Sequence, residues 1–192
     1  MAAGYLILHG LENERPPQHW QFLLAAHLVE GGHDVRYPGL PDPNAPNLDA
    51  WLGALDAELL ALGGERRAVI CHSLACLLWF HAATRGLIDS TPVDRVLLVS
   101  PPDSAHVPPA GASFRVDRLD PQAVRSSARE ELTIACSDAD PYNPRGAQTL
   151  YGDPLGIEAV VFEGAGHITP EDGFGRWPFA EEWCRLVESA AP

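Results

Sequence analysis

The sequence predicts an α/β fold, a three-layer α/β/α sandwich built on a mostly parallel sheet of about six strands. Three observations predict it. Short apolar runs alternate with runs of helical period along the whole chain. The apolar runs, such as AVIC at 68–71 and VLLV at 96–99, are continuous, the pattern of strands covered on both faces. Polar residues able to do chemistry come directly after those runs, and parallel sheets place ligand sites beyond the carboxyl ends of their strands.

The elements follow in order. Tyr5–Leu8 is a first strand. Residues 19–30 form a helix with apolar positions at Trp20, Phe22, Leu23, Ala26 and Leu28, stopped by Gly31-Gly32. Asp34–Tyr37 is a second strand, and the proline-rich PGLPDPNAPN after it is an ordered surface loop. Leu48–Leu62 carries one apolar stripe through Trp51, Leu52, Leu55 and Leu59, with Asn47 or Asp49 at its N-terminal cap. Ala68–Cys71 is a third strand, followed by an apolar helix to about Ala83. Val93–Val99, Leu132–Cys136 and Ile157–Phe162 are the remaining strands. The polar, proline-containing segment Asp103–Ala128 between two of them holds a short helix on one flank of the sheet. A last helix, Phe179–Ala190, turns Phe179, Trp183, Leu186 and Val187 inward. With no repeat and no low-complexity tract, residues 1–192 read as a single domain.

Composition narrows the function. Apolar residues make up 46% of the 192 and the net charge is −13, with every cation an arginine. So acidic a surface argues against nucleic acid or an anionic membrane as partner. No apolar run approaches the roughly 18 residues a membrane span needs. The N-terminus lacks the basic segment of a signal peptide, so a cytoplasmic location is expected. A small molecule is the expected partner, and a monomer is favoured with the oligomeric state left open. Cys71, Cys76, Cys136 and Cys184 form no C-x-x-C pair and stand in apolar surroundings, as buried free thiols would. The histidines form no H-x-H or H-x-x-x-H pair, and neither metal nor cofactor is expected.

The strand ends carry the functional reading. His9-Gly10-Leu11 follows the first strand and His72-Ser73-Leu74 the third. Ser137-Asp138-Ala139-Asp140 follows the fifth, and Gly164-Ala165-Gly166-His167 the sixth. Ser73 by itself suits a helix N-cap, His167 a loop histidine and either aspartate a turn residue. Together, on one rim and in the order Ser…Asp…His, they form the constellation of an α/β-hydrolase. A serine hydroxyl attacks an acyl carbon only when a base removes its proton, and a near-neutral imidazole does this. A carboxylate fixes the imidazole tautomer. Asp140 is the preferred acid, because Pro141 and Pro144 hold its turn; Asp138 and, less so, Asp103 are alternatives. Two N–H groups must face the developing oxyanion, and those of Leu74, opening a helix, and Leu11 are the candidates. His9, Gly10, Trp20, His72, Pro101 and Ile168 are expected around the substrate, with Leu11 and Pro102 as further walls.

The stretches LILHGLENERPPQHW, YPGLPDPNAPNLDAWLGAL, CHSLAC, SDADPYNP and GAGHI resemble the small serine-hydrolase family of YdeN-like and retinoblastoma-binding serine hydrolases, nearly end to end. The resemblance implies a compact α/β-hydrolase fold without a large lid domain. It implies Ser73 as nucleophile, Asp140 as acid, His167 as base, and the N–H groups of Leu11 and Leu74 as oxyanion hole. Two positions depart from the family: Cys71 where a glycine is common, and Ala75 two residues after the serine. The L-x-C-x-E motif for retinoblastoma protein is incomplete, since Leu74-Ala75-Cys76-Leu77-Leu78 lacks the glutamate. The expected activity is cleavage of small esters, thioesters or amides through an acyl-enzyme on Ser73. The alternative is a protein-interaction module that keeps the fold but turns over little. Haloalkane or epoxide hydrolysis would need an aspartate at 73.

Overall fold

Six strands, all parallel, lie side by side in the order β2-β1-β3-β4-β5-β6. The computed structural model describes residues 2–189. The strands are β1 (Gly4–Leu8), β2 (Asp34–Arg36), β3 (Arg67–His72), β4 (Val93–Val99), β5 (Ala128–Ser137) and β6 (Val160–Phe162). The helices are α1 (Trp20–Glu30), α2 (Leu48–Ala61), α3 (Leu74–Thr84), α4 (Pro121–Ser126), the single turn α5 (Asp153–Leu155) and α6 (Pro178–Ser189).

Alternate residues of each strand point to opposite faces of the sheet, and the core splits accordingly. Leu6, Leu8, Val69, Cys71, Val96 and Leu98 pack with α2 and α3 on one face. Tyr5, Ile7, Ala68, Ile70, Leu97 and Val99 pack with α1 and α6 on the other. Helix α3 is buried along nearly its whole length, as its unbroken apolar sequence requires. Asn47 caps α2, its Oδ1 accepting from the Ala50 N–H at 3.0 Å.

Some elements depart from expectation. β6 begins three residues late, because Gly156 (φ 64°) closes α5 and the Gln148 amide binds the Ile157 carbonyl and the Ala159 N–H. β2 stops at Arg36, and β5 reaches back through the polar Arg129–Glu131 to Ala128. On α1 the inward positions are Trp20, Gln21, Leu24 and Leu28, while Phe22 and Leu23 face outward. Gln21 is buried with its Nε2 donating to the Leu8 carbonyl at 2.9 Å, which offsets part of the cost of burying the amide, while its Oε1 finds no partner among the described residues. Leu186 of α6 is exposed, whereas Trp183 and Val187 are buried. Ala190, the expected end of that helix, lies outside the described residues.

The chain runs from β1 outward to β2, then back across to β3 and on toward β6. Winding therefore reverses between β1 and β3, and such a reversal opens a crevice at the carboxyl ends of the two strands. Gly10 and Ser73 stand there.

Candidate active site

Ser73 occupies the corner between β3 and α3 with φ 55° and ψ −122°. A non-glycine residue at positive φ costs of order 1–3 kcal/mol and persists only where its surroundings enforce it. Here the Ser73 N–H bonds the Val99 carbonyl of β4 at 2.9 Å, and its own carbonyl accepts the Cys76 N–H at 2.9 Å. The hydroxyl makes no cap bond to α3. Gly10 lies against it so closely that a Cβ at position 10 would sit 2.8 Å from the Ser73 Cβ. The glycine after His9 is thus required by the serine corner.

The Ser73 Oγ donates to His167 Nε2 at 2.8 Å, and His167 Nδ1–H donates to both Asp140 oxygens at 2.9 Å. Asp140 and His167 are buried, while Ser73 is half-exposed. The Asp140 turn is set locally: Oδ1 accepts the Tyr142 N–H at 2.9 Å and the backbone carbonyl accepts the Asn143 N–H at 3.1 Å. The other two aspartates are engaged elsewhere. Asp138 accepts the Gly164 N–H at 2.7 Å and so anchors the turn that delivers the histidine. Asp103 is fully buried and clamped by Arg145 at 2.6 and 2.7 Å; that guanidinium holds its carboxyl well below the ordinary range.

The histidine turn depends on a residue the sequence reading missed. Asp172 accepts the His167 N–H at 2.9 Å and both the N–H and hydroxyl of Thr169. Gly166 (φ 56°) passes so near this carboxylate that a Cβ would fall 2.1 Å from an oxygen. The T-x-x-D spacing of Thr169 and Asp172 is a capping-box pattern and was the available signal.

These groups open onto a cavity of about 690 Å³, large enough for a small acyl ester. Gly10, Leu11, His72, Ser73, Leu74 and Pro102 reach it. His9, Trp20, Pro101 and Ile168 stand one layer behind its wall. His9 is buried and accepts the Leu40 N–H on Nε2, tying down the proline-rich loop. The Trp20 indole donates to the Ile168 carbonyl at 2.9 Å. Pro101 is buried with its carbonyl bonded to Asn143. Ile168 is fully buried at φ 56°. The outer wall comes from loops that carry no strand-end signal. Val107 and Pro108 line one side, from the segment 103–128, and the Tyr142 ring meets that of His167 edge to face at 4.6 Å. Charges on the lining are all carboxylates: Glu12, Glu14, Glu171 and Asp172. Two further imidazoles face the cavity, and burial holds both uncharged at neutral pH: His19 is lowered to about 4 and His72 is lowered far below its ordinary value. His19 also caps α1, Nδ1 accepting the Gln21 N–H.

The Leu74 N–H begins α3 and has no carbonyl one turn back to bond. Neither it nor the Leu11 N–H finds a protein acceptor among the described residues. Among those residues no cluster of three or more His, Cys, Asp or Glu is arranged to hold a metal ion, and no helix is long and apolar enough to cross a membrane.

The serine hydrolase family model matches residues 5–185. The chain belongs to the serine hydrolase family. Among solved structures, the ydeN gene product of B. subtilis superposes with a TM-score of 0.79 at 19% identity, covering 98% of this chain and 100% of that one. A carboxylesterase of Nitrososphaera gargenis gives 0.69 at 12% identity, with 99% and 92% covered. The esterase domain of a Rhodothermus marinus protein gives 0.64 at 19% identity, with 96% and 87% covered. At these identities the likeness is one of fold: an α/β-hydrolase fold with no lid domain. No curated protein matches the sequence.

Proposed function

We propose that this serine hydrolase is a carboxylesterase-type enzyme acting on small esters, thioesters or amides. The observation that carries the proposal is the hydrogen-bonded chain Ser73–His167–Asp140 at the mouth of a cavity of about 690 Å³. His167 Nε2 takes the Ser73 proton as Oγ bonds the acyl carbon. The carbonyl oxygen becomes an oxyanion facing the N–H groups of Leu11 and Leu74. The imidazolium, stabilised by Asp140, gives the proton to the leaving atom as its bond to the acyl carbon breaks. Water, deprotonated by His167, then attacks the acyl-enzyme; the proton returns to Ser73 and the acid leaves. The carboxylates of the cavity favour neutral or cationic substrates over anionic ones, because no lining cation offsets them.

The test uses a fluorophosphonate probe and p-nitrophenyl acetate or butyrate. Wild type is expected to label and to hydrolyse both esters. Ser73→Ala is expected to lose all labelling and about 10³-fold or more of its turnover. Labelling or turnover that survives Ser73→Ala refutes the assignment.

A further inference from the structure

His72 and Trp20, expected beside the substrate, are placed to do something else. His72 ends β3 and is 3% exposed. Its Nε2 lies 3.0 Å from the backbone carbonyl of His167. A carbonyl only accepts, so Nε2 carries the hydrogen and Nδ1 is the bare nitrogen, with no partner among the described residues. The neighbouring carbonyl, that of Ile168, accepts the Trp20 indole N–H at 2.9 Å. The two rings meet edge to face at 5.6 Å, and the His72 ring also lies 5.1 Å from that of His167. The remaining polar groups of this dipeptide are held too: the His167 N–H by Asp172 and the Ile168 N–H by the Ala165 carbonyl.

The dipeptide needs holding. Ile168 has φ 56°, and a β-branched residue in the left-handed region is strained. Released, it would relax toward negative φ and swing the peptide that carries His167. Residues 72 and 73 thus both bond residue 167, one through its backbone and one through its imidazole, across 95 and 94 positions of sequence.

We propose that His72 is a positioning residue. Its Nε2–H, with the Trp20 indole beside it, pins the strained His167-Ile168 backbone so that the His167 imidazole meets the Ser73 hydroxyl. The inference rests on the proposed roles of Ser73 and His167.

Three variants test it with p-nitrophenyl butyrate. His72→Phe keeps a ring and removes the donor; His72→Gln puts an amide N–H near the Nε2 position; Trp20→Phe removes the second donor. His72→Phe is expected to lower kcat about 10- to 100-fold, as a displaced catalytic group does, with KM within about twofold. His72→Gln is expected to recover most of that loss, and Trp20→Phe to lower kcat in the same KM-independent way. An unchanged kcat in His72→Phe, or equal losses in the Phe and Gln variants, overturns the inference. If His72→Phe does not fold, Trp20→Phe decides: unchanged kcat there overturns it. Turnover surviving in Ser73→Ala would instead strike the proposed function, so the two failures are distinguishable.

Discussion

Two serines of this protein stand at positive φ just past a strand, and only one of them reaches an imidazole. Ser73 directly follows β3 with φ 55°; Ser100 directly follows β4 with φ 48°. Each donates its N–H to the last part of the next strand, Ser73 to Val99 at 2.9 Å and Ser100 to Ala135 at 2.8 Å. Beyond that they diverge. Ser73 leads into α3, so the N–H of Leu74 is left free at a helix start. Ser100 leads into Pro101-Pro102, neither of which has an N–H to offer. The Ser100 hydroxyl is fully buried without a partner among the described residues, whereas that of Ser73 meets His167. A strained corner at a strand end is therefore a recurring product of this sheet, not a mark of reactivity. What distinguishes Ser73 is its position beside the winding reversal, the helix after it and the glycine opposite.

That contrast is open to experiment. The largest effect is expected from Asp140→Asn, which keeps the shape of the proposed acid and removes the charge beside His167 Nδ1. Esterase kcat should fall on the order of 10³- to 10⁴-fold with folding intact; a comparable loss in Asp138→Asn with little in Asp140→Asn would move the acid to 138. Gly10→Ala comes next, since its methyl must displace the Ser73 Cβ. Turnover is expected to drop about 10- to 100-fold, with about 1–3 kcal/mol lost in urea unfolding.

Acidification should act more gently and on stability. His9, His19 and His72 are kept neutral by burial, His19 down to about pH 4. Between the unfolded value of about 6.5 and that point the unfolded chain binds more protons, so stability falls as pH drops. The urea midpoint should be lower at pH 5 than at pH 7; a midpoint that rises would contradict neutral imidazoles. The smallest effect belongs to Ser100→Ala. Removing an unpaired buried hydroxyl should leave esterase kcat unchanged and shift stability by less than about 1 kcal/mol. A large loss of activity would erase the distinction between the two corners.

The sequence made the strand ends legible because an apolar run has to stop where polar chemistry begins. Ser73, Asp140 and His167 could all be found that way, each with a turn signal beside it. What escaped was decided by loops and by buried polar groups. Gln21 occupies an inward face of α1 that periodicity assigns to apolar residues, and only its bond to Leu8 explains it. Tyr142, Glu12 and Glu14 reach the cavity through loop conformations that no spacing encodes. Trp20 and His72 carry the right chemistry to face a substrate, yet their N–H groups are directed at backbone carbonyls, which composition does not reveal.

The four cysteines sit inside both layers of the core. All are buried and outside any disulfide, Cys71, Cys76 and Cys184 fully buried, and burial pushes the thiols of Cys71, Cys76 and Cys136 upward, Cys136 to about 11. Thiolate is the reactive form, so at neutral pH these three sulfurs present almost nothing to a thiol reagent while the chain is folded. Modification must wait for the molecule to open. With Cys71 and Cys76 bracketing the serine corner on one face of the sheet and Cys184 packed on the other, the chain carries its own chemical clocks. The rate at which each sulfur is captured in native buffer would time the opening of its own layer.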